Sequence, residues 1–288
     1  MQNIKLFLEL TRLNKPIGYM LLFWPCLWGL TIAYDFSSGY EKFIFYLVLF
    51  LSGSILMRSA GCIVNDISDR NFDKLVERTK DRPIASGKVS VKLASLYAVV
   101  LCGIAFLVLV NFNFFTIWMA LLSMPLAFSY PLMKRFTYWP QLFLGITFNY
   151  GLVLAWISIT NEISLIPLVF YVGAIFWTLG YDTIYGYQDI KDDEIIGVKS
   201  TSIKFKNNPK KFISLCYLIF IGILFFLGLL MNFNMFYFLF LLIPVFQLFF
   251  FQIYKLDTKN PLSCLLKFRS NNILGLLIFT NLLIGKIF

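Results

Sequence analysis

Ten of the fifteen acidic residues in this sequence lie in two short windows, 65–81 and 181–194, and clustered carboxylates of this kind can hold divalent cations. The first window begins at Asn65 with the sequence NDISDRNFD. Asn65, Asp69 and Asp73 recur every four residues, so a helix would place them on one face. Asp66 lies one position away from that face. Such a helix would present a stack of oxygen ligands along one side.

The second window begins at Tyr181 with the sequence YDTIYGYQDIKDD. Asp182, Asp189 and Asp193 would share one stripe of a continuous helix, together with Gly186. Like-charged carboxylates at this spacing repel each other unless a cation lies among them. Mg²⁺ prefers oxygen ligands and sites shared with phosphate groups, so it is the cation that we expect. The alternative is that both windows are solvated loop charges, offset by neighbouring lysines and arginines.

Basic residues are interleaved with the acids in both windows. Phosphoryl oxygens are bound well by metal ions and basic side chains together, so this mixture favours a diphosphate site. Arg78 and Arg82, within the segment ERTKDRP, are the contacts that we favour most. The alternative is that these charges only mark the cytoplasmic side of a membrane. The residues predicted to bind diphosphate are Arg70, Lys74, Arg78, Arg82, Lys191 and Lys199.

Arg58 differs from the other basic residues because it lies inside an apolar stretch, seven residues before Asn65. An isolated charge within a membrane-spanning helix costs roughly 2.5 to 3.5 kcal/mol on insertion scales, so it needs a partner. Either an acid on a neighbouring helix or a bound carboxylate would serve.

The elements that position these residues are predicted to be membrane-spanning helices. Of the 288 residues, 59% are hydrophobic and 14% are charged, whereas a soluble domain has roughly a quarter charged residues. The apolar runs are about twice as long as the strands of a membrane barrel and lack their alternation. We therefore expect an all-α integral membrane protein with nine transmembrane helices. The predicted spans are 17–34, 43–64, 91–110, 114–133, 140–159, 163–184, 212–231, 235–254 and 270–287.

The distribution of basic residues predicts which side of the membrane each loop faces. Of the 25 Lys and Arg residues, 22 lie in the N-terminal segment, in the loops after the even-numbered spans or, for Lys92, at the edge of one of those loops. By the positive-inside rule, the N-terminus and those loops face the cytoplasm. This sidedness explains the net charge of +10 without nucleic acid as a partner. The amphipathic segment 4–13 is expected on the membrane surface. No transit-peptide pattern precedes the first span, so we expect a bacterial inner membrane.

The chain is predicted to form one membrane domain, residues 1–288. Its two polar stretches, 65–90 and 185–211, each follow an even-numbered span, which indicates a possible duplication of 17–133 in 140–254, with 270–287 as a ninth helix. The sequence has no histidine, which excludes Ser-His and Cys-His nucleophilic chemistry. Its five cysteines are isolated, so neither a disulfide framework nor a zinc site is indicated.

Several of these segments resemble the UbiA superfamily of intramembrane aromatic prenyltransferases. NDISDRNFD and YDTIYGYQDIKDD are similar to the two Asp-rich motifs of that family, and the similarity covers nearly the whole chain. The 4-hydroxybenzoate polyprenyltransferase branch of ubiquinone synthesis is the most similar. The further segments that carry the resemblance are VERTKDRPIASG at 76–87, GVKST at 197–201, RLNKPIGYMLLFWPCLWGL at 12–30 and LMRSAGC at 56–62.

The resemblance implies a helical bundle around a central cavity, with Mg²⁺ and diphosphate at its cytoplasmic mouth. It places Asp182 in the second motif, and it adds Lys134 and Arg135, in the segment YPLMKR, to Arg58 as candidate contacts of the aromatic substrate. The implied catalytic residues are Asp66, Asp69, Asp73, Asp182, Asp189 and Asp193. The implied metal ligands are Asn65, Asp66, Asp69, Asp73, Asp189 and Asp193.

The reaction that the resemblance implies is transfer of a polyprenyl group from polyprenyl diphosphate to 4-hydroxybenzoate, at the ring carbon ortho to the hydroxyl. Another acceptor, such as homogentisate, a naphthoate or a haem, is the main alternative. A membrane cation transporter is a further alternative, although its acids would be expected near the bilayer midplane rather than at one membrane edge.

Overall fold

All the regular secondary structure is helical in the computed structural model, which describes residues 2–287. Within that range, eight helical segments are at least 18 residues long and apolar enough to cross a membrane. Ile17–Ala33 is also apolar and has 17 residues, close to the minimum of about 17 for a span. The predicted all-α membrane architecture is confirmed, with the first of its nine spans shorter than the others.

The helices are numbered in chain order. The fourth span is α5 extended by the 3₁₀ turn Tyr130–Arg135. The eighth consists of α11, α12 and the π-helical segment Gln247–Tyr254, and the ninth consists of α13 and α14. The helices are α1 (Gln2–Thr11), α2 (Ile17–Ala33), α3 (Glu41–Asp73), α4 (Val91–Leu109), α5 (Phe114–Ser129), α6 (Pro140–Thr160), α7 (Leu165–Gly186), α8 (Ile190–Ile196), α9 (Thr201–Lys204), α10 (Pro209–Leu230), α11 (Met235–Phe240), α12 (Leu242–Phe246), α13 (Pro261–Arg269) and α14 (Asn271–Ile287).

Two helix boundaries differ from the predicted spans. Helix α3 continues without a break through the first acidic window to Asp73, beyond the apolar run that ended at residue 64. The last span begins at Pro261, nine residues before the predicted start at 270. Asn260 caps this helix by accepting hydrogen bonds from the backbone N–H groups of Leu262 and Ser263.

The second acidic window does not form the continuous helical stripe that its spacing predicted. Helix α7 ends at Gly186, and α8 begins only at Ile190. At Gly186 a Cβ atom would collide with the hydroxyl of Ser202, so the following loop folds back closely onto the helix end. Asp182 and Asp189 are therefore held by different elements.

The centre of the bundle is the crossing of α2 with α6. A Cβ atom at Gly29 would collide with the backbone carbonyl of Leu152, so the two helices approach more closely than side chains would allow. Trp28 packs beside this crossing, with its ring centroid 4.9 Å from that of Trp177. Its indole Nε1 donates to the carbonyl of Gly275, which ties the last span to the same centre.

A cavity of about 420 Å³ lies among α2 to α6. Its lining is almost wholly apolar, with Arg58 as its charged residue. Phe50 also lines it, eight residues earlier on α3 and therefore about 12 Å further along the axis. There the rings of Phe50 and Phe112 stand 4.8 Å apart and close that end. Phe106 of α4 and Leu121 of α5 line the cavity and are 47% and 38% exposed, so protein does not fully cover the cavity wall between these two helices.

Candidate functional site

The last turns of α3 carry the first acidic motif on their buried face. Asp66 and Asp69 are each 2% exposed, and Asp73 is 7% exposed. Asn65 is half-buried, so the buried stack of oxygen ligands begins at Asp66. Three carboxylates buried on one helix face need positive partners, because burial removes the water that would otherwise solvate their charge.

Two arginines from distant parts of the chain meet Asp66. Arg12 Nη2 donates to Asp66 Oδ1 at 2.5 Å, and Arg82 Nη1 donates to the same oxygen at 3.1 Å. Arg82 Nη1 also donates to Asp73 Oδ2 at 2.9 Å. Arg82 therefore bridges two turns of the acidic helix, as its place in the sequence predicted for a residue of this site.

Asp69 is bound from the segment after α5. Lys134 Nζ donates to Asp69 Oδ2 at 2.5 Å, whereas Asp69 Oδ1 is buried and has no hydrogen-bond partner. Arg135 Nη2 lies 3.9 Å from Oδ1, too far for a hydrogen bond, and donates instead to the carbonyl of Ser68 at 2.7 Å. Lys134 and Arg135 thus lie with the first acidic motif rather than in the apolar cavity.

The second motif joins the first through Arg78. The Arg78 guanidinium forms a bidentate pair with Asp189, with Nη2 2.5 Å from Oδ2 and Nε 2.7 Å from Oδ1. It also lies over the ring of Tyr185, 5.8 Å from the centroid. Burial, and then the charge of Asp189, raises the pKa of Asp193 to about 6, while the charges of Lys134 and Arg78 oppose that rise. The two acidic windows therefore form one polar mouth.

A buried polar clamp holds the loop that carries the second motif. Gln141 Oε1, on α6, accepts from the backbone N–H of Thr201 at 3.0 Å. The hydroxyls of Thr183 and Thr201 are 2.6 Å apart, and Ser202 Oγ donates to the carbonyl of Thr183. Thr201 and Ser202 are fully buried. This clamp explains physically why the resemblance extends past the second window to GVKST.

Arg58 stands between the mouth and the apolar cavity. Its guanidinium lies 5.3 Å from the ring centroid of Phe148, and its Nε is buried without a hydrogen-bond partner. No ion pair within residues 2–287 includes Arg58. Asp182, half-buried on α7, makes no ion pair with Arg58. A half-buried guanidinium with a buried Nε and no carboxylate partner among the described residues is a place where a bound anion would fit.

Four predicted diphosphate contacts make no ion pair with the acids of this mouth among the described residues. Arg70, Lys74 and Lys191 are exposed, and the described residues show no ion pair from them to the acidic motifs. Lys199 donates to the carbonyl of Phe136 at 3.3 Å. A role for these four side chains in diphosphate binding stays a prediction.

The donor chemistry of the mouth fits a hard divalent cation. Between residues 2 and 287, no three acidic or cysteine side chains converge on one point, because basic side chains stand among the carboxylates. Nevertheless the carboxylates are buried, and Asp69 Oδ1 is an anionic oxygen without a partner. Oxygen ligands of this type suit Mg²⁺. The residues that would hold it are Asn65, Asp66, Asp69, Asp73, Asp189 and Asp193.

Sequence reasoning missed Arg12, Tyr185 and the clamp residue Gln141. Arg12 lies in RLNKPIG, which carries part of the family resemblance, but nothing in the local sequence indicates a partner 54 residues away. Tyr185 lies inside the second window, where we considered only the acids. Gln141 lies in an apolar helix, and a polar residue at the end of a span carries no specific signal.

Comparison with known proteins identifies the same family that the sequence motifs resemble. The model of the UbiA prenyltransferase family matches residues 22–280. The chain is 41% identical over 290 residues to 4-hydroxybenzoate geranyltransferase 1 of Lithospermum erythrorhizon, covering 100% of this chain and 92% of that one. It is 40% identical to 4-hydroxybenzoate octaprenyltransferase of Psychromonas ingrahamii, covering 97% of this chain and 96% of that one.

Solved structures with the same fold are more distant in sequence. The apo structure of a UbiA homologue from Aeropyrum pernix superposes with a TM-score of 0.76 at 19% identity, covering 92% of this chain and 96% of that chain. A UbiA homologue from Archaeoglobus fulgidus bound to GPP and Mg²⁺ gives a TM-score of 0.70 at 16% identity, covering 98% of this chain and 99% of that chain.

Proposed function

The chain belongs to the UbiA prenyltransferase family, and from this premise we propose that it transfers a polyprenyl group from polyprenyl diphosphate to 4-hydroxybenzoate. The new bond forms at the ring carbon ortho to the hydroxyl, and diphosphate leaves. The observation that carries the proposal is Arg58, a guanidinium that forms no ion pair within residues 2–287 and lies at the junction of an acidic mouth and an apolar cavity. A small aromatic acid supplies the missing carboxylate.

Arg58 anchors the acceptor in this proposal. The benzoate carboxylate binds the guanidinium, and the aromatic ring lies against the apolar wall near Phe148. This orientation would hold the phenol end of the substrate at a fixed position relative to the mouth, which lowers the entropic cost of reaction. Lys134 and Arg135 contact Asp69 and Ser68, so we assign them to the donor side of the site rather than to the acceptor.

Arg78 and Arg82 bind the diphosphate of the donor. Each already holds an acidic residue of the mouth, Asp189 for Arg78 and Asp73 for Arg82. Bound Mg²⁺ would neutralise the negative charge that grows on diphosphate as its bond to the allylic carbon breaks. The arginines add preorganised hydrogen-bond donors to the same leaving group.

The cavity protects the allylic cation from water. Its lining is apolar, and it includes the aromatic faces of Phe50, Phe112, Tyr130 and Phe148, which stabilise positive charge. The hydrophobic donor enters sideways from the bilayer through the open wall between α4 and α5. The ring proton passes to diphosphate or to an aspartate of the site.

One assay tests this function against its alternatives. Purified protein is incubated with radiolabelled geranyl or octaprenyl diphosphate, Mg²⁺ and a panel of 4-hydroxybenzoate, homogentisate, a naphthoate and a haem. We expect labelled product from 4-hydroxybenzoate alone, and none in excess EDTA. Product from another acceptor would contradict the assigned substrate, and full activity in EDTA would contradict the metal requirement.

We also propose a bacterial inner membrane with the N-terminus in the cytoplasm. The support is the concentration of 22 of the 25 basic residues in the N-terminal segment and the loops on one side. The acidic mouth is built from those same loops, so both the diphosphate and the small acid would be supplied from the cytoplasm.

A further inference from the structure

Arg12 lies at the turn between the N-terminal helix and the first span. Its backbone has φ of 55°, a conformation uncommon for a residue with a side chain. Arg12 O accepts a hydrogen bond from Lys15 N–H, which closes the turn. The turn directs the Arg12 side chain to the mouth, where it meets Asp66. A backbone held in a sparsely populated region indicates that the surrounding structure fixes it.

Helix α1 is anchored to the bundle immediately before this turn. Leu10 is fully buried in a cluster that includes Ala60 and Ile63 of α3 and Ala94 of α4. The ring of Phe7 packs edge-on against Tyr97, with 5.4 Å between centroids. The position of Arg12 is therefore set by the docking of α1 onto α3 and α4.

Arg12 and Arg82 share a single carboxylate oxygen, Asp66 Oδ1. One carboxylate neutralises only one of the two guanidinium charges. Arg82 also binds a second carboxylate, that of Asp73. Arg12 contacts Asp66 alone among the described carboxylates. The Arg12 side chain is 25% exposed. Its Nη1 and Nε atoms are not among the buried side-chain atoms that lack a hydrogen-bond partner. Within residues 2–287, the side chain of Arg12 makes its one hydrogen bond through Nη2, so Nη1 and Nε can donate to a ligand.

We infer that Arg12 is a diphosphate-binding residue, oriented by Asp66 and delivered to the donor site by helix α1. This inference rests on the proposed function and adds a residue outside both acidic windows. Arg12 keeps one guanidinium nitrogen on Asp66 and donates from another to a phosphoryl oxygen, as the planar fork of arginine permits. Lysine, with a single nitrogen, cannot span both partners in the same way.

The test measures binding rather than turnover. A non-hydrolysable prenyl thiodiphosphate is titrated into wild type, Arg12→Ala, Arg12→Lys and the control Lys15→Ala, in detergent with saturating Mg²⁺. Lys15 is exposed and lies three residues further along the same turn. We expect Arg12→Ala to raise the Kd at least tenfold, Arg12→Lys to raise it less, and Lys15→Ala to stay within twofold of wild type.

The Mg²⁺ concentration for half-maximal analogue binding separates this role from a purely structural one. A direct phosphate contact leaves that concentration within twofold of wild type in Arg12→Lys. An unchanged analogue Kd with a shifted Mg²⁺ requirement would show that Arg12 only fixes Asp66, and it would overturn the inference. Absence of analogue binding by wild type would contradict the proposed function instead.

The delivery by α1 is tested in the same titration. Leu10 is fully buried against α3, whereas Leu8 of the same helix is 38% exposed. Leu10→Ala alone should loosen α1 and raise the analogue Kd several-fold. In a chain that already carries Arg12→Ala, the same change should raise the Kd little further. Leu8→Ala should change neither. Fully additive effects of Leu10→Ala and Arg12→Ala would show that α1 does not act through Arg12.

Discussion

At the scale of single residues, the site combines carboxylates that are paired with basic side chains and a guanidinium, that of Arg58, for which the described residues supply no carboxylate partner. Asp66, Asp69 and Asp189 each have an arginine or lysine within 3.1 Å. Arg58 lies 5.3 Å from the ring centroid of Phe148, and none of the described carboxylates forms an ion pair with it. Charged hydrogen bonds can be worth about 1.5 to 3 kcal/mol, so the unpaired guanidinium is the group with the most to gain from a ligand.

Replacement of Arg58 should affect the acceptor much more than the donor. Arg58→Ala removes the carboxylate anchor, and we expect the KM for 4-hydroxybenzoate to rise at least tenfold, equivalent to about 1.4 kcal/mol. The KM for polyprenyl diphosphate should stay within about twofold. Arg58→Lys keeps the charge and should recover part of the loss. Steady-state kinetics with each substrate varied in turn checks this, and equal effects on both KM values would sink the assignment.

Neutralisation of the buried acids should remove metal-dependent turnover. Asp69→Asn and Asp189→Asn keep the shape of the side chain but remove the charge that a divalent cation requires. We expect no measurable product from either variant and no Mg²⁺-dependent gain in analogue binding. Asp81→Asn is the matched control, because Asp81 lies in the same loop as Arg78 and Arg82 but is exposed. Wild-type turnover by Asp69→Asn would exclude Asp69 as a ligand.

At the scale of elements, the length of the apolar runs predicted the membrane spans. The spacing of the acidic residues predicted a continuous helix for both motifs, and this was correct only for the first. A helix that crosses the hydrocarbon must be apolar over about 20 residues, which makes the spans visible locally. The extension of α3 through Asp73 follows its spacing. The break after Gly186 was not predictable, because it depends on Ser202 packing against that glycine from a loop 16 positions away.

The clamp on the second loop gives a prediction at this scale. Thr201→Val keeps the shape of the side chain but removes the hydroxyl that meets Thr183, so the free energy of unfolding should fall by about 1 kcal/mol. The KM for the donor should rise, because the same loop carries Asp189, while the acceptor KM should change little. Thr201→Ser keeps the hydroxyl and is the control. Thermal unfolding and kinetics check both, and a Val variant with wild-type values for stability and donor KM would contradict the clamp.

At the scale of the whole molecule, the sequence predicted the properties that the membrane imposes on each segment, but not the contacts between distant segments. Fold class and span number follow from hydrophobicity along the chain, whereas the sidedness that the charge distribution predicts stays a prediction. The pairs that build the site join residues far apart, 54 positions for Arg12 with Asp66 and 111 for Arg78 with Asp189. Local patterns identified the acids and basic residues of the mouth but could not identify which of them meet.

The orientation of the molecule can be measured with one cysteine on each side. Ser38 is exposed between α2 and α3, and Ser86 is exposed between α3 and α4. In intact bacterial cells, a membrane-impermeant maleimide should label Ser38→Cys, and it should label Ser86→Cys only after permeabilisation. The parent protein supplies the background from its own five cysteines, four of which are buried. The reverse labelling pattern would place the mouth outside the cytoplasm.

The unpartnered guanidinium of Arg58 also has a consequence for the life of the protein in the cell. A ligand that binds only the folded state adds stability by mass action, about 2.7 kcal/mol when its concentration is a hundred times its Kd. Quality-control proteases respond to differences of that size by changing the abundance of a protein several-fold. A cell that runs short of the aromatic acid would therefore lose this enzyme as well as its substrate, so supply of the precursor would set the amount of catalyst.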